Sequence, residues 1–258
     1  MPRVSFDVAA TAYDRFMGRY SSLLSPQMAD LADVIPRERV LDVGCGPGAL
    51  TSELVARLGA DHVAAVDPSA SFVEAAAERN PGVDVRLASA ELLPFPDDSF
   101  DAAIAQLVVH FMAEPVRGIS EMARVVQPGG VVGACVWDHA GGQGPLGLFW
   151  AVARSLDPAV EDESNLPGAR EGHLASLLGQ AGLDDVESTV VSTNLRLPSF
   201  DAWWEPFTGG VGPAGAYVAR LSPDRRATLR ERCRAELPEG AFTLPARAWA
   251  ARGVVTRR

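Results

Sequence analysis

Residues 40–48 read Val-Leu-Asp-Val-Gly-Cys-Gly-Pro-Gly, an apolar run that leads directly into three alternating glycines. A helical pattern, Ala-Leu-Thr-Ser-Glu-Leu, starts at residue 49 as soon as the glycines end. This order is typical of a buried parallel strand, a tight turn and a helix N-terminus. Glycine is needed where the backbone takes positive φ or approaches a ligand closely. Because a helix N-terminus attracts carboxylates and phosphates, the stretch predicts a small, partly anionic ligand at this turn.

Strand and helix patterns alternate along the rest of the chain. The predicted strands are 39–43, 62–66, 83–88, 102–108, 131–137, 186–197 and 241–255. The predicted helices are 10–20, 26–34 (with Ser25 as N-cap), 48–58, 70–79, 114–126, 148–155, 169–181 and 225–236. This alternation predicts an α/β fold, a doubly wound and mostly parallel sheet. We expect the last strand to be antiparallel.

Composition excludes several classes of protein. With 258 residues the chain is expected to form one large domain, or one domain with an elaborated insert. A net charge of -10 argues against a nucleic-acid partner, because neutralising phosphates dominates that affinity. All 23 basic residues are arginine. Schiff-base chemistry, a lysine-containing phosphate loop and the Tyr-x-x-x-Lys arrangement of short-chain dehydrogenases are therefore excluded.

The cysteines and the apolar runs indicate where the protein works. Cys45, Cys135 and Cys233 are odd in number and far apart, which is typical of reduced thiols in a cytosolic protein. Cys45 is interpreted as a small turn residue, since no partner that would activate it is visible. No apolar run has membrane-spanning length and no signal peptide is recognisable, so we expect a cytoplasmic protein with no membrane span.

The glycine turn fits two motifs. Gly44, Gly46 and Ala49 satisfy the G-x-G-x-x-G/A dinucleotide pattern, whereas Gly44, Gly46 and Gly48 satisfy a tighter G-x-G-x-G form. Residues 41–48 resemble the first motif of class I S-adenosylmethionine (SAM)-dependent methyltransferases of the small-molecule type, with core motifs similar to those of ubiquinone/menaquinone methyltransferases. The resemblance implies a Rossmann-like, seven-stranded fold that binds SAM and releases S-adenosylhomocysteine.

A second run strengthens the resemblance. Residues 93–101 read Leu-Pro-Phe-Pro-Asp-Asp-Ser-Phe-Asp and match the family's approach to strand four. Just before them, Ala90 and Glu91 occupy the positions that reach the adenine edge in the family. A dinucleotide enzyme has no reason to carry this run. The resemblance covers residues 39–137, and more weakly the segment that precedes them.

An acidic residue ends the second predicted strand. Asp67 lies 23 residues after Gly44 and is followed by Pro68. A carboxylate at this place in a βαβ unit can accept hydrogen bonds from both ribose hydroxyls of a nucleoside. This position predicts that Asp67 holds the ribose.

The first 38 residues resemble the N-terminal lid of small-molecule methyltransferases. In that lid an arginine or a tyrosine commonly meets the methionine carboxylate. Arg19 would suit this role because a guanidinium can bind a carboxylate through two hydrogen bonds. The full set of expected cofactor residues is Tyr13, Arg19, Asp42, Gly44, Cys45, Gly46, Gly48, Asp67, Pro68, Ala90, Glu91 and Gln106.

Catalytic and acceptor residues are harder to predict. His110 follows strand four, at the sheet edge where ligands bind, and a neutral imidazole could act as general base. Support of the loop is the alternative role. Asp138 and His139 are adjacent and lack a third ligand, so no metal site is predicted. Trp137, Trp203 and Trp204 are expected to line the acceptor site, with plain core packing as the alternative.

The predicted organisation is an N-terminal helical lid (1–38), a SAM-binding core (39–197), an inserted helical cap (198–240) and the last core strand (241–258). The predicted activity is methyl transfer from SAM to a small-molecule acceptor by in-line displacement. A SAM-binding regulator without transfer activity, and an NAD-dependent oxidoreductase, remain as alternatives. Neither the acceptor atom nor the oligomeric state follows from the sequence.

Overall fold

Residues 10–256 are described by the structure, a computed structural model. The first nine residues of the predicted lid and the last two residues of the chain lie outside this range. Within it the chain forms one seven-stranded sheet in the order β3-β2-β1-β4-β5-β7-β6. The strands are β1 Val40–Val43, β2 Val63–Asp67, β3 Asp84–Leu87, β4 Phe100–Gln106, β5 Val126–Trp137, β6 Asp184–Leu197 and β7 Phe242–Val254.

The first five strands are parallel to one another, and β7 is antiparallel to both β5 and β6. The predicted doubly wound, mostly parallel sheet with an antiparallel last strand is therefore confirmed. The chain reverses its direction of progress across the sheet at β1, which has β2 on one side and β4 on the other. Ligands of such sheets bind beyond the carboxyl ends of the strands at this reversal.

Helices cover both faces of the sheet. The α-helices are α1 Ala10–Tyr13, α2 Arg19–Leu31, α3 Ala49–Leu58, α4 Ala70–Arg79, α5 Pro115–Val125, α6 Gly147–Leu156, α7 His173–Gln180, α8 Phe200–Trp204, α9 Gly212–Arg220 and α10 Pro223–Ala235. A π-helical turn covers Asp14–Gly18, and 3-10 turns cover Ala60–His62, Val109–Phe111, Glu163–Asn165 and Glu205–Gly209.

Strand β1 is buried on both faces, as its mainly apolar sequence predicts, and Asp42 is buried with the rest of the strand. Leu41 and Val43 join the core under α5 and α7, whereas Val40 joins the core under α2 and α3. Alternation along the strand thus divides its side chains between the two faces. This burial fixes the start of the glycine turn relative to the rest of the sheet.

The lid differs from the prediction of two helices separated at Ser25. The helical run continues from Ala10 to Leu31, with Pro26 inside α2. Ser25 does not cap a helix; its hydroxyl donates to the carbonyl of Ser21, 2.9 Å away. A proline inside a helix costs about 3 kcal/mol. The fully buried Leu24 and Met28 anchor α2 on both sides of Pro26 and offset that cost.

The other boundaries deviate less. Helix α7 starts at His173 instead of residue 169, because Gly172 takes a left-handed φ of 72° just before it. Pairing of β5 starts at Val126, opposite Phe100, and an irregularity follows before the register continues at Val131. Residues 127–130, which separate the predicted helix 114–126 from the predicted strand 131–137, are thus part of β5.

The cap connects β6 to β7 and contributes α8, α9 and α10. It packs with α6 around an aromatic core in which the rings of Phe149 and Phe207 stack at 4.5 Å. The lid meets this core through Phe16, whose ring lies 4.9 Å from that of Phe207. Between residues 10 and 256, none of the helices is long and apolar enough to span a bilayer.

Candidate functional site

The three glycines of the turn after β1 have different surroundings. All have positive φ: 70° at Gly44, 53° at Gly46 and 89° at Gly48. A Cβ atom on Gly44 would collide with the side chain of Val108, and one on Gly48 would come within 2.7 Å of Asn80 Nδ2. On Gly46 the nearest atom would be Cε1 of Tyr13, at 3.9 Å. Packing therefore requires two of the glycines, whereas Gly46 leaves a space bounded by Tyr13.

Asp67, at the carboxyl end of β2, holds this turn in place. One carboxylate oxygen accepts the N–H of Gly46 at 2.9 Å, and the other accepts the N–H of Ser69 at 2.8 Å. Burial raises the pKa of Asp67, and the two N–H donors partly offset this rise. Each oxygen has a second lone pair that could accept a ligand hydroxyl. Pro68, the next residue, is exposed.

Asp42 and Cys45 support the turn from within. Thr51 Oγ1 of α3 donates to Asp42 Oδ2 at 2.6 Å, which ties β1 to the first turn of the helix. Burial raises the pKa of Asp42 to about 7. Burial also raises the pKa of the Cys45 thiol well above its usual value, so this thiol stays protonated and is a poor nucleophile.

Ala90 and Glu91 follow β3, and Glu91 contacts the backbone just before α5. Glu91 Oε1 accepts the N–H groups of Ala113 (2.8 Å) and Glu114 (3.3 Å). Ala90 is buried. A carboxylate is stabilised at this place because backbone N–H groups at a helix N-terminus have no partner within the helix. The role of both residues toward an adenine ring stays a prediction.

Gln106 connects the end of β4 to the lid. Its Nε2 donates to the carbonyl of Ser21 (3.1 Å) and to Ser25 Oγ (3.2 Å). Its buried Oε1 has no hydrogen-bond partner among residues 10–256. A buried oxygen without a donor is costly, so Gln106 has capacity left for a ligand.

Two lid residues were expected to contact the cofactor. The ring of Tyr13 lies over the glycine turn and 5.2 Å from the ring of Phe72, and burial raises its pKa to about 12. Arg19 donates from Nε to the carbonyl of Phe16 and from Nη1 to that of Ala202, both at 3.2 Å. In this conformation its guanidinium joins the lid to the cap.

An inner cavity of about 40 Å³ lies beyond the carboxyl ends of β4 and β5. Leu107 and Trp137 form its wall on the side of the sheet. Phe16 and Met17 of the lid and residues 211–214 of the cap also line it. Tyr13 lines this cavity and also lies next to Gly46, so the cavity wall and the glycine turn share this residue.

Two histidines border the inner cavity. Leu107 takes a left-handed φ of 62°, an uncommon conformation for this residue type, and the next turn carries His110. The rings of His110 and His139 lie 5.7 Å apart. Burial lowers the pKa of His110 well below its usual value and that of His139 to about 4. Both rings are therefore neutral near pH 7.

Glu163, which the sequence did not single out, is the third titratable residue of the cavity wall apart from Tyr13. It is 3% exposed, and its Oε2 accepts the indole N–H of Trp150 at 2.8 Å. Burial raises the pKa of Glu163 to about 7. In the sequence it stands in a polar run beside Asp162 and Ser164, which is typical of an exposed loop.

The tryptophans fall into two groups. Trp137 borders the inner cavity, and its buried Nε1 has no partner within residues 10–256. Trp203 and Trp204 pack against Phe207 in the cap core and do not border the cavity, which agrees with the core-packing alternative.

Asp138 is held by Arg247, with Nη2 and Oδ2 2.6 Å apart. The described part of the chain contains no group of three or more residues suited to bind a metal.

Comparison with known proteins agrees with this arrangement. A family model described as a methyltransferase domain matches residues 41–133. An uncharacterized methyltransferase of Mycobacterium tuberculosis is 36% identical over 168 residues, which are 64% of this chain and 65% of the relative. The chain thus spans slightly less than two thirds of the length of this relative. A demethylmenaquinone methyltransferase of Paenarthrobacter aurescens is 30% identical over 177 residues, 62% of this chain and 67% of the relative.

The fold is shared with solved structures. The YcgJ protein of Bacillus subtilis superposes with a TM-score of 0.59 at 21% identity, over 93% of this chain and 100% of that one. The residues matched by the family model run from β1 to β5 and contain the glycine turn and Asp67. The chain belongs to the class I SAM-dependent methyltransferase family.

Proposed function

We propose that this protein transfers the methyl group of SAM to a small organic acceptor and releases S-adenosylhomocysteine. One observation carries the proposal: Tyr13 borders both the turn formed by Gly46 and Asp67 and a cavity lined by titratable side chains. A nucleoside site thus adjoins a second site of different chemistry. Methyl transfer needs two such adjoining sites.

The residues of the turn fit the nucleoside part of SAM. Gly46 leaves space where a side chain would intrude, and Asp67 has lone pairs to accept ribose hydroxyls. Tyr13, Glu91 and Gln106 complete this side, and Arg19 reaches it only if its bonds to the carbonyls of the lid and cap are broken or shared. SAM supplies an electrophilic methyl group on a sulfonium. The protein aligns the acceptor with that group and excludes water, and such alignment can supply roughly 7–11 kcal/mol.

The acceptor is expected to be mainly apolar. The inner cavity is lined by apolar and aromatic side chains together with two neutral histidines and Glu163, and no arginine of the described chain borders it. An anionic acceptor would therefore lack a counter-charge. Relatives are named as demethylmenaquinone methyltransferases, and an apolar ring acceptor is compatible with this cavity.

Isothermal titration calorimetry with SAM, S-adenosylhomocysteine, NAD and NADP tests the first half of the proposal. We expect the two adenosyl sulfur compounds to bind and the two dinucleotides not to bind. Asp67→Asn should weaken SAM binding by about 1–3 kcal/mol, as expected for lost charged hydrogen bonds. Asp61→Asn is the matched control, because Asp61 is exposed.

Methyl-labelled SAM with a panel of small acceptors tests the second half. Label appearing in an organic product supports transfer. Tight SAM binding without transfer to any acceptor would favour a regulator that only senses SAM. Binding of NAD in place of SAM would overturn the proposal.

A further inference from the structure

We propose that Glu163 is a catalytic residue whose carboxylate accepts the proton of a weakly acidic hydroxyl group on an uncharged, ring-containing acceptor in the inner cavity. The role of Glu163 rests on the proposed function, because Glu163 would take the proton while the hydroxyl oxygen receives the methyl group of SAM. In this role Glu163 takes the place of His110, for which the sequence left both a general-base role and support of the loop open.

The side chain of Glu163 lies in the wall of the inner cavity and is held there by one hydrogen bond. Glu163 opens the 3-10 turn Glu163–Asn165, and its side chain borders the inner cavity while being 3% exposed. Trp150 of α6 donates to Oε2, which fixes the orientation of the carboxyl group. No residue between 10 and 256 donates a hydrogen bond to Oε1. Trp150 occupies one oxygen of the carboxyl group, and the other, Oε1, has lone pairs that can accept the hydroxyl of a ligand in the cavity.

Other polar atoms around the same cavity also lack partners. Within residues 10–256, no hydrogen bond reaches the buried Nδ1 of His110, Nε2 of His139 or Nε1 of Trp137. Most buried polar side-chain atoms in proteins are hydrogen-bonded. Three such atoms on residues that line one cavity therefore indicate a ligand with its own polar group. The indole N–H of Trp137 can only donate, so it suits the oxygen of that ligand.

The surroundings of Glu163 make it the better base. Burial raises its pKa to about 7, the Trp150 hydrogen bond lowers it, and the nearby Asp162 raises it. Asp162 is itself paired with Arg154 of α6. The other titratable groups around the cavity are Tyr13 and the two neutral histidines, and burial has lowered the pKa of both histidines. A general base works best when its pKa lies near the working pH, which favours Glu163.

This basicity also selects the acceptor. The hydroxyl of a phenol has a pKa of about 10, like that of tyrosine, which is within about three powers of ten of a base with a pKa near 7. An aliphatic alcohol is about as weakly acidic as water, with a pKa of about 15.7, and lies out of reach. The apolar wall and the absence of arginine among the lining residues favour an uncharged ring.

Methyl transfer and proton transfer occur together in the proposed step. The hydroxyl oxygen forms the new bond to the methyl carbon, and its proton moves to the Glu163 carboxylate. The bonding pair of the broken carbon–sulfur bond stays on sulfur. Glu163 then returns the proton to water. A cavity of about 40 Å³ holds little more than one water molecule, so a ring enters only after Phe16 and Met17 or residues 211–214 of the cap move outward.

Glu163→Gln is the decisive variant, because the amide keeps the shape and the oxygen that Trp150 contacts. Glu161→Gln is its matched control, an exposed glutamate of the same segment. Phenol and 1-naphthol are the probes, and cyclohexanol is the aliphatic control. We expect wild type and Glu161→Gln to methylate the two phenols but not cyclohexanol. Glu163→Gln should lose activity by about 10²- to 10⁴-fold, with SAM binding unchanged.

A measurement independent of turnover reads the protonation of Glu163 directly. Infrared difference spectra of wild type minus Glu163→Gln, recorded across pH without SAM, should show one buried carboxyl group that ionises near pH 7. The kcat/KM of the wild type should fall as the pH drops below about 7, because protonated Glu163 cannot accept a proton. This fall should be missing in Glu163→Gln. If that variant unfolds, Glu163→Asp keeps the carboxylate and should retain part of the activity.

The outcomes separate the two proposals. Lack of SAM binding by the wild type would overturn the proposed function. Methylation of phenols with equal rates and pH profiles in Glu163→Gln and Glu161→Gln would overturn the role of Glu163 alone. Binding of SAM without binding or methylation of either phenol would overturn the acceptor class.

Discussion

The carboxylate of Asp67 accepts the backbone N–H of Gly46 at 2.9 Å, so the end of β2 fixes the shape of the turn that follows β1. These two residues are 21 positions apart in the sequence. Both residues can still take part in ligand binding. Gly46 has no side chain to fill the space beside Tyr13, and each oxygen of Asp67 has a second lone pair. Proper folding of the turn and binding at the turn therefore depend on the same hydrogen bond.

Replacement of Gly44 and Gly46 by alanine should have different effects. Both have positive φ, so each change costs about 1–2 kcal/mol of backbone strain. Gly44→Ala adds a collision with Val108 and should lower the free energy of unfolding by several kcal/mol in total, as overpacking typically adds 1–3 kcal/mol. Gly46→Ala should stay folded and lose SAM affinity at least tenfold. Urea unfolding and calorimetry measure the two effects, and equal stability losses would contradict this division.

Asp42 should make the protein less stable as pH rises. Its pKa is about 7 when folded and 3.8 ordinarily, so the folded state holds a proton that the unfolded state has lost between these values. Stability is therefore greatest below pH 3.8 as far as this group is concerned, and its contribution falls up to pH 7. One pKa unit corresponds to about 1.4 kcal/mol, so the fall approaches about 4 kcal/mol.

Urea unfolding of the wild type and of Asp42→Asn across pH 4 to 8 measures this contribution. The variant should show a shallower decline, because an amide does not ionise. Burial also raises the pKa of Asp67 and of Glu163, but both residues are present in both proteins. The difference between the two curves of stability against pH therefore reports the ionisation of Asp42. Parallel curves would show that Asp42 ionises normally.

Pro26→Ala should stabilise the protein. The change restores an N–H group that can donate to the carbonyl of Ser22 within α2, and the exposed position leaves room for the new side chain. The proline costs about 3 kcal/mol inside a helix but restricts the unfolded chain by about 0.4–1 kcal/mol, so a net gain of about 2 kcal/mol is expected. Thermal unfolding would detect it as a higher Tm. A lower Tm would mean that the proline shapes the lid in a way that its neighbours require.

Arg19→Ala should loosen the lid. The guanidinium donates to carbonyls in the lid and in the cap, and it is only half-buried, so we expect a loss of about 1 kcal/mol. Hydrogen exchange of amides in Arg19–Leu31 should accelerate about fivefold, whereas those of β1 should not change. If Arg19 also binds the carboxylate of SAM, calorimetry will show a further loss of affinity beyond this opening cost.

Local motifs carried most of what the sequence predicted correctly. The glycine turn, the strand before it and the acidic end of β2 each depend on a few adjacent residues, so their positions could be predicted directly. The expectation of seven strands came from the resemblance that these motifs support. Pro26 misled the prediction because the burial of Leu24 and Met28, which keeps α2 intact, is a tertiary effect.

Glu163 could not have been found in this way. Its polar neighbours are typical of a solvent-exposed loop, and only the fold places Trp150 of α6 against it. The same reason separates Trp137 from Trp203 and Trp204: all three are large aromatic residues near predicted strand or cap segments, yet only Trp137 borders the cavity. The contact partners of a side chain decide such roles, and they come from distant parts of the chain.

A crystal structure of the protein with bound S-adenosylhomocysteine would test the central claim most directly. We predict that the ribose hydroxyls lie within hydrogen-bond distance of the Asp67 carboxylate, that the ligand passes over Gly46, and that its sulfur faces the inner cavity. A ligand bound away from the glycine turn, or crystals that stay free of it at saturating concentration, would contradict the account.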